Sequence, residues 1–102
     1  MSAAPKTTHQ ARLADLRRSI DGIDGALVAL LAQRFDFVQQ VVEVKKELSL
    51  PAAIPDRVED VVARVRAEAM KRGFPPATAE KLWRQLINDM IIFEENMLGH
   101  RR

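Results

Sequence analysis

Apolar residues recur along the first half of the chain at Leu13, Leu16, Ile20, Ile23, Leu27, Leu30, Leu31, Val38 and Val41, a spacing built from steps of three and four. That period marks one face of an α-helix. After Leu13 no proline interrupts the pattern until Pro51, so the spacing predicts one helix over residues 10–48, about 55 to 60 Å long at 1.5 Å per residue. Gly22 and Gly25 lie inside it and weaken it by about 1 kcal/mol each relative to alanine, a cost that an extensive packed face offsets. Residues 1–9 are small and polar, show no periodicity, and read as a disordered N-terminal tail. The helical domain then occupies residues 10–102.

The stretch Leu50-Pro51-Ala52-Ala53-Ile54-Pro55 is a break, because each proline lacks an amide donor and pushes its predecessor out of the helical region. A second helix follows, with Asp56 and Glu59 spaced as a capping box and Val58, Val61, Val62 and Val65 as its apolar side. Lys71 and Arg72 suit the negative end of its dipole, and Gly73 supplies a left-handed stop. After Pro75 and Pro76, Thr78 is placed to cap a third helix through Leu82, Trp83, Leu86, Ile87, Met90, Ile91 and Phe93, ending near Gly99. With no strand or hairpin signal and no internal repeat, the fold class is all-α, a three-helix protomer with a long first helix.

A compact domain of 102 residues has a radius of gyration of roughly 13 Å, so a helix of that length overhangs its own fold. Its apolar stripe continues along the overhang, where two shorter helices cannot cover it all. A second copy of the chain in a two-fold dimer is the simplest cover. The alternative is a helix bent or broken near Gly22 and Gly25, giving a monomeric four-helix bundle.

Composition narrows the function classes. Hydrophobic residues make up 47% and charged ones 29% of the chain, as in ordinary soluble globular proteins. Cysteine is absent, which excludes disulfides and thiolate metal sites. His9 and His100, at opposite ends, offer no metal-ligand spacing, so neither a metal nor a cofactor is expected. There is no signal-peptide pattern and no apolar stretch long enough to span a bilayer, which makes cytoplasmic residence without membrane association the default. The calculated pI of 9.4 reflects a net charge of only +2, from 16 basic and 14 acidic residues. Apart from His100-Arg101-Arg102 there is no basic run, and no aromatic residues interleave with the cations, so nucleic acid is not an expected partner.

Cations do stand where apolar residues belong. Arg34 and Lys45 fall in the stripe of the first helix, eleven residues apart, which returns to within about 20° of the same direction over roughly 16 Å. Two long side chains leaning toward each other from those positions reach one small anion. Arg17 also borders the stripe, about 25 Å from Arg34 along the axis, too far for the same site on its own helix but within reach of a partner's site in an antiparallel dimer. Each cation taken singly also fits a snorkelling surface residue, and Asp24, Asp36 and Glu43 are available as structural counter-charges.

The run Leu13-Ala14-Asp15-Leu16-Arg17-Arg18-Ser19-Ile20-Asp21-Gly22-Ile23-Asp24, then Leu30-Leu31-Ala32-Gln33-Arg34, then Lys45, resembles the first helix of the all-helical chorismate mutase family. The resemblance extends through Asp56-Arg57 and Leu82-Trp83-Arg84-Gln85-Leu86-Ile87 to Glu94. It implies an intertwined homodimer with two equivalent sites and a cofactor-free Claisen rearrangement of chorismate to prephenate. It further implies that Arg34 and the partner copy's Arg17 bind the substrate's two carboxylates, with Arg57 also among the substrate-binding residues. Lys45 and Glu94 would flank the ether oxygen of the bond that breaks, in a pocket lined by Val41, Ile87 and Ile91. Many relatives have a neutral glutamine where this chain has Glu94, so a protonated Glu94 donating to that oxygen is the expected acid.

Three positions depart from the family pattern. Where its mutases usually place an acid, a glutamate and a serine around the substrate's ring hydroxyl, this chain has Ile54, Val58 and Met90. A hydroxyl buried against them without a partner costs about 1 to 3 kcal/mol, unless the loop shifts to offer Asp56. The runs Arg34-Phe35-Asp36-Phe37-Val38 and Ala53-Ile54-Pro55-Asp56-Arg57-Val58 also resemble the isochorismate-pyruvate lyases, a sister group that makes salicylate and pyruvate. An amino-substituted chorismate and a non-catalytic, metabolite-binding helical dimer complete the alternatives.

Overall fold

The structure, a computed structural model, describes residues 7–99. Three helices account for nearly all of them: α1 (Thr8–Leu48), α2 (Pro55–Arg72) and α3 (Pro76–Leu98). The all-α class and the three-helix order read from the sequence are what is observed. The chain divides into two compact units at the junction of Asp36 and Phe37, within α1.

The first unit is the long N-terminal part of α1. Its start lies earlier than the sequence pattern indicates, since Thr8 and His9, assigned to the tail, are helical; residues 1–6 of that tail fall outside the described residues. The reason is a reciprocal cap. The Gln10 amide donates to Thr7 Oγ1 at 3.0 Å while the Thr7 amide donates to Gln10 Oε1 at 2.7 Å, which satisfies two of the amides that a helix start leaves open. The helix passes through Gly22 and Gly25 without interruption, so the chain does not break there into a fourth helix. Arg18 pairs with Asp15 on its surface. Within this unit Leu13, Leu16, Ile20, Ile23, Leu27, Leu30 and Leu31 are all 40–60% exposed.

The second unit holds the last turns of α1, then α2 and α3. Its core is Val42 of α1, Ala52 of the connecting loop, Val62 and Ala69 of α2, and Ala79 and Ile87 of α3. Ile54, in extended conformation, precedes α2, and Ile54 offers no side-chain cap. The anticipated Asp56–Glu59 capping box is therefore not formed: Pro55 occupies the first helical position, where its missing N–H costs nothing, and Glu59 is engaged elsewhere. Gly73 ends α2 as expected, at φ 76°, with the Phe74 amide reaching back to the Ala69 carbonyl at 2.8 Å. Thr78 does not cap α3, which begins two residues earlier at Pro76 for the same reason as α2, and Gly99 closes it at φ 79°.

Charged side chains bind α2 to α3. Arg84 forks onto both oxygens of Glu59 at 2.9 and 3.0 Å and also reaches Glu80 at 2.7 Å, while Glu80 accepts from Arg66 at 2.7 Å. The pairings 59 with 84 and 66 with 80 run in opposite senses, so the two helices form an antiparallel hairpin. Hydrogen bonding from Arg84 holds the Glu59 carboxyl below its ordinary range, and Arg84 followed by Arg66 does the same for Glu80. Arg84 is pushed upward in turn, first by Glu59 and then by Glu80. Among the described residues no helix is long and apolar enough to cross a membrane.

Candidate active site

Chemistry concentrates where α1 ends. Lys45 lies in its last turn, where helical carbonyls leave a partial negative charge that favours a cation. On α3, Ile87, Ile91 and Glu94 follow one another at helical spacing and share a face. Ile87 and Glu94 are buried there and Ile91 is half-buried. Lys45 Nζ donates to Glu94 Oε1 at 2.8 Å and to the backbone carbonyl of Ala52 at 2.7 Å. The two charged side chains are only 12% and 10% exposed.

Burying an ion pair costs several kcal/mol of desolvation per charge, recovered only by good geometry and further hydrogen bonds. Replacing such a pair by apolar residues is often neutral for stability, whereas removing one partner alone is strongly destabilising. The ammonium carries three donors. Two are taken by Glu94 and Ala52, and the third has no partner among the described residues. The arrangement presents a fixed positive charge and a carboxyl side by side in a setting of low polarity, where electrostatic effects on a bound molecule are much stronger than in water.

The other residues singled out by the sequence are placed as follows. Val41, one turn before Lys45, is partly exposed. Arg57 lies on the first turns of α2, exposed, and donates to Asp60 Oδ2 at 2.8 Å. Asp60 takes a second pairing from Arg64, and these bonds, Arg64 first, hold its carboxyl below the usual range. Arg17 is exposed and Arg34 half-buried, both on the first unit. Ile54, Val58 and Met90 are half-buried, and Asp56 is exposed in the first turn of α2. An open hollow of about 280 Å³ is lined by Lys45, Lys46, Ser49, Leu50 and Leu98; Glu94, Val41, Ile87 and Ile91 are not on its wall. Sequence reasoning missed Ala52, whose contribution is a backbone carbonyl and so carries no side-chain signal.

Residues 16–95 match the chorismate mutase type II family model, and the chain belongs to that family. It is 37% identical over 86 residues to a T-protein of Enterobacter agglomerans, covering 84% of this chain and 23% of that one. It is 29% identical over 76 residues to a chorismate mutase of Methanocaldococcus jannaschii, covering 74% and 77% of the two chains. It is 28% identical over 101 residues to a 4-amino-4-deoxychorismate mutase of Streptomyces pristinaespiralis, covering 95% and 78%. The chain thus spans about a quarter of the length of the T-protein it matches.

Proposed function

We propose that the chain is a cytoplasmic chorismate mutase, active without a cofactor and as a homodimer, that converts chorismate to prephenate. The observation that carries this reading is the buried Lys45–Glu94 pair with one ammonium donor left over, in a chain of the chorismate mutase type II family. In a 3,3-sigmatropic rearrangement one C–O bond breaks and one C–C bond forms within the same molecule, with no net transfer of protons. The enzyme has two tasks: holding the compact conformer in which the ends of the substrate meet, and stabilising negative charge as it develops on the ether oxygen. Lys45 supplies the charge at that oxygen. Glu94, as the acid, donates a second hydrogen bond to it. Arg34 and Arg17 of a second copy take the two carboxylates, Arg57 joins them by releasing Asp60, and Val41, Ile87 and Ile91 exclude water.

Dimerisation in this reading rests on the stripe from Leu13 to Leu31. Covering the area its seven residues leave exposed contributes on the order of 5 to 10 kcal/mol per chain before the entropic cost of association. The same stripe on a second copy is the self-complementary surface that a two-fold axis requires.

Likeness to a 4-amino-4-deoxychorismate mutase over nearly the whole chain supports one second reading, with an amino-substituted chorismate as substrate at the same site. Side-by-side assays with chorismate, isochorismate and 4-amino-4-deoxychorismate, each followed by loss of substrate and identification of product, separate the readings. Prephenate formed with the highest kcat/KM is the expected result. Salicylate with pyruvate from isochorismate, or faster turnover of the amino compound, reassigns the substrate. Binding without turnover of any of the three makes the chain a metabolite-binding module.

A further inference from the structure

The turn that follows α1 grips Lys45 at both ends of the residue. Its backbone carbonyl accepts from the Leu50 amide at 2.9 Å, and its ammonium donates to the Ala52 carbonyl at 2.7 Å. Between these two contacts the chain makes a sharp reversal. Ser49 adopts φ 56°, the single left-handed non-glycine residue described, and its amide bonds to the Lys46 carbonyl at 3.3 Å. Pro51 then fixes its own φ and disfavours the helical region for Leu50. Ala52 is buried, so its carbonyl is removed from water and needs the lysine as much as the lysine needs it.

We infer that this turn is a clasp that orients the Lys45 ammonium for the reaction, with the Ala52 carbonyl as a positioning group that touches no substrate. A lysine side chain has four rotatable bonds and spreads its charge over a wide volume unless tethered. With Glu94 alone as partner the ammonium pivots about one contact. With Ala52 as a second acceptor on a fixed backbone, two of its N–H directions are set, and tetrahedral geometry then sets the third. That third donor is the one left for a bound molecule. The inference rests on the proposed role of Lys45 at the breaking bond.

The test weakens the carbonyl without touching a side chain. Replacing Ala53 by lactic acid during translation turns the Ala52–Ala53 peptide into an ester, whose carbonyl is a poorer acceptor. The Ala53 N–H lost in the exchange donates to no atom of the described residues. The ester is expected to lower kcat about threefold to tenfold with KM changed less than twofold, because the interaction lost matters mostly in the transition state. In a Lys45→Ala background the same ester is expected to have no further effect, a coupling that a merely structural carbonyl would not show. Pro51→Gly, which frees the turn and keeps every acceptor, is a second route to the same result, with kcat lowered and KM held. Equal ester effects in both backgrounds, or unchanged kcat in an ester protein whose Lys45→Ala counterpart is impaired, overturn the clasp. Parent-level turnover by Lys45→Ala itself overturns the proposed role of the lysine, and the clasp with it.

Discussion

The two parts of α1 carry the same apolar periodicity to different ends. Before Asp36 the stripe residues from Leu13 to Leu31 stand about half exposed, and no apolar side chain of that part is buried. After Phe37 the helix buries Val42 and brings Lys45 against Glu94 and Ala52. One part has a hydrophobic face still to be covered, and the other has a polar group already enclosed. The proposed function gives the two parts different work: the enclosed part would hold the reacting group, and the exposed stripe would be the face on which a second chain brings its Arg17.

The largest expected effects break this division of labour directly. Lys45→Ala should lower kcat about 100- to 1000-fold, the usual loss when one donor to a developing oxyanion is removed, with a smaller change in KM. Arg17→Ala should impair turnover comparably while leaving Lys45 in place. If Arg17 serves the partner's site, mixing the two inactive proteins and allowing subunit exchange should restore about a quarter of parental activity, because about half the dimers are mixed and each mixed dimer has one intact site. No recovery despite demonstrated exchange makes Arg17 structural. In the same experiments unfolding of the parent should depend on protein concentration, and a folded monomer at micromolar concentration in sedimentation would sink the shared-site model.

Next in size is the pair itself. Glu94→Ala leaves the Lys45 ammonium buried with Ala52 as its sole remaining partner among the described residues, and breaking a buried pair from one side typically costs about 3 to 5 kcal/mol. Glu94→Gln keeps an acceptor for Lys45 and a donor for the substrate, so denaturant unfolding should show a much smaller loss. Kinetics then sharpen the role of the carboxyl. If Glu94 donates to the ether oxygen, Glu94→Gln, which keeps a donor, should retain far more turnover than Glu94→Ala. Equal turnover in the parent, Glu94→Gln and Glu94→Ala removes Glu94 from the chemistry.

A smaller effect belongs to the α2–α3 hairpin. Glu59, Glu80 and Asp60 all titrate below their ordinary values because of arginine partners. A depressed carboxylate contributes stability that is fully present above its unfolded value, about 4.5 for the glutamates, and is lost as pH falls through the lower folded value. These pairs are exposed and screened by salt, so the expected loss is modest. Thermal melts should show a shallow fall in Tm below that pH, reduced in Arg84→Ala and at high salt. An Arg84→Ala melt with the parent's acid dependence would show that the hairpin is held by Val62, Ala69, Ala79 and Ile87 instead.

How much of this was legible in the sequence follows from which interactions leave a periodic trace. The stripe made the length and end of α1 readable, and Gly73 and Gly99 marked the two later stops because left-handed closure selects glycine. Helix starts were read less well. The Thr7–Gln10 box lies in a polar segment without apolar periodicity and so leaves no trace of a helix start, whereas Asp56 and Thr78 have the spacing and chemistry of caps that Pro55 and Pro76 make unnecessary. Lys45 stood out as a cation in an apolar row, but Glu94, 49 residues away, was linked to it only through the family resemblance, since no local rule connects residues so far apart. Ala52 was invisible because alanine reports nothing about where its carbonyl points.

The smallest expected effect tests whether the turn after α1 is strained as well as shaped. A left-handed conformation costs a non-glycine residue about 1 to 2 kcal/mol, and Ser49 bears that cost at φ 56°. Glycine removes the clash but loses more entropy on folding, by about 0.5 to 1 kcal/mol, so Ser49→Gly should stabilise the protein by no more than about 1.5 kcal/mol. For a domain of this size that is a rise in Tm of at most about 6 to 12 °C. Because glycine adopts the same φ, the Leu50 and Ala52 contacts to Lys45 persist and kcat should stay within about twofold of the parent. Ser49→Val should do the opposite, since a β-branched side chain tolerates this region least. A fall in Tm and in kcat together for valine, against a rise in Tm at constant kcat for glycine, ties the conformation of one loop residue to the orientation of the lysine. Equal kcat for both variants would mean that Lys45 holds its position through Glu94 alone.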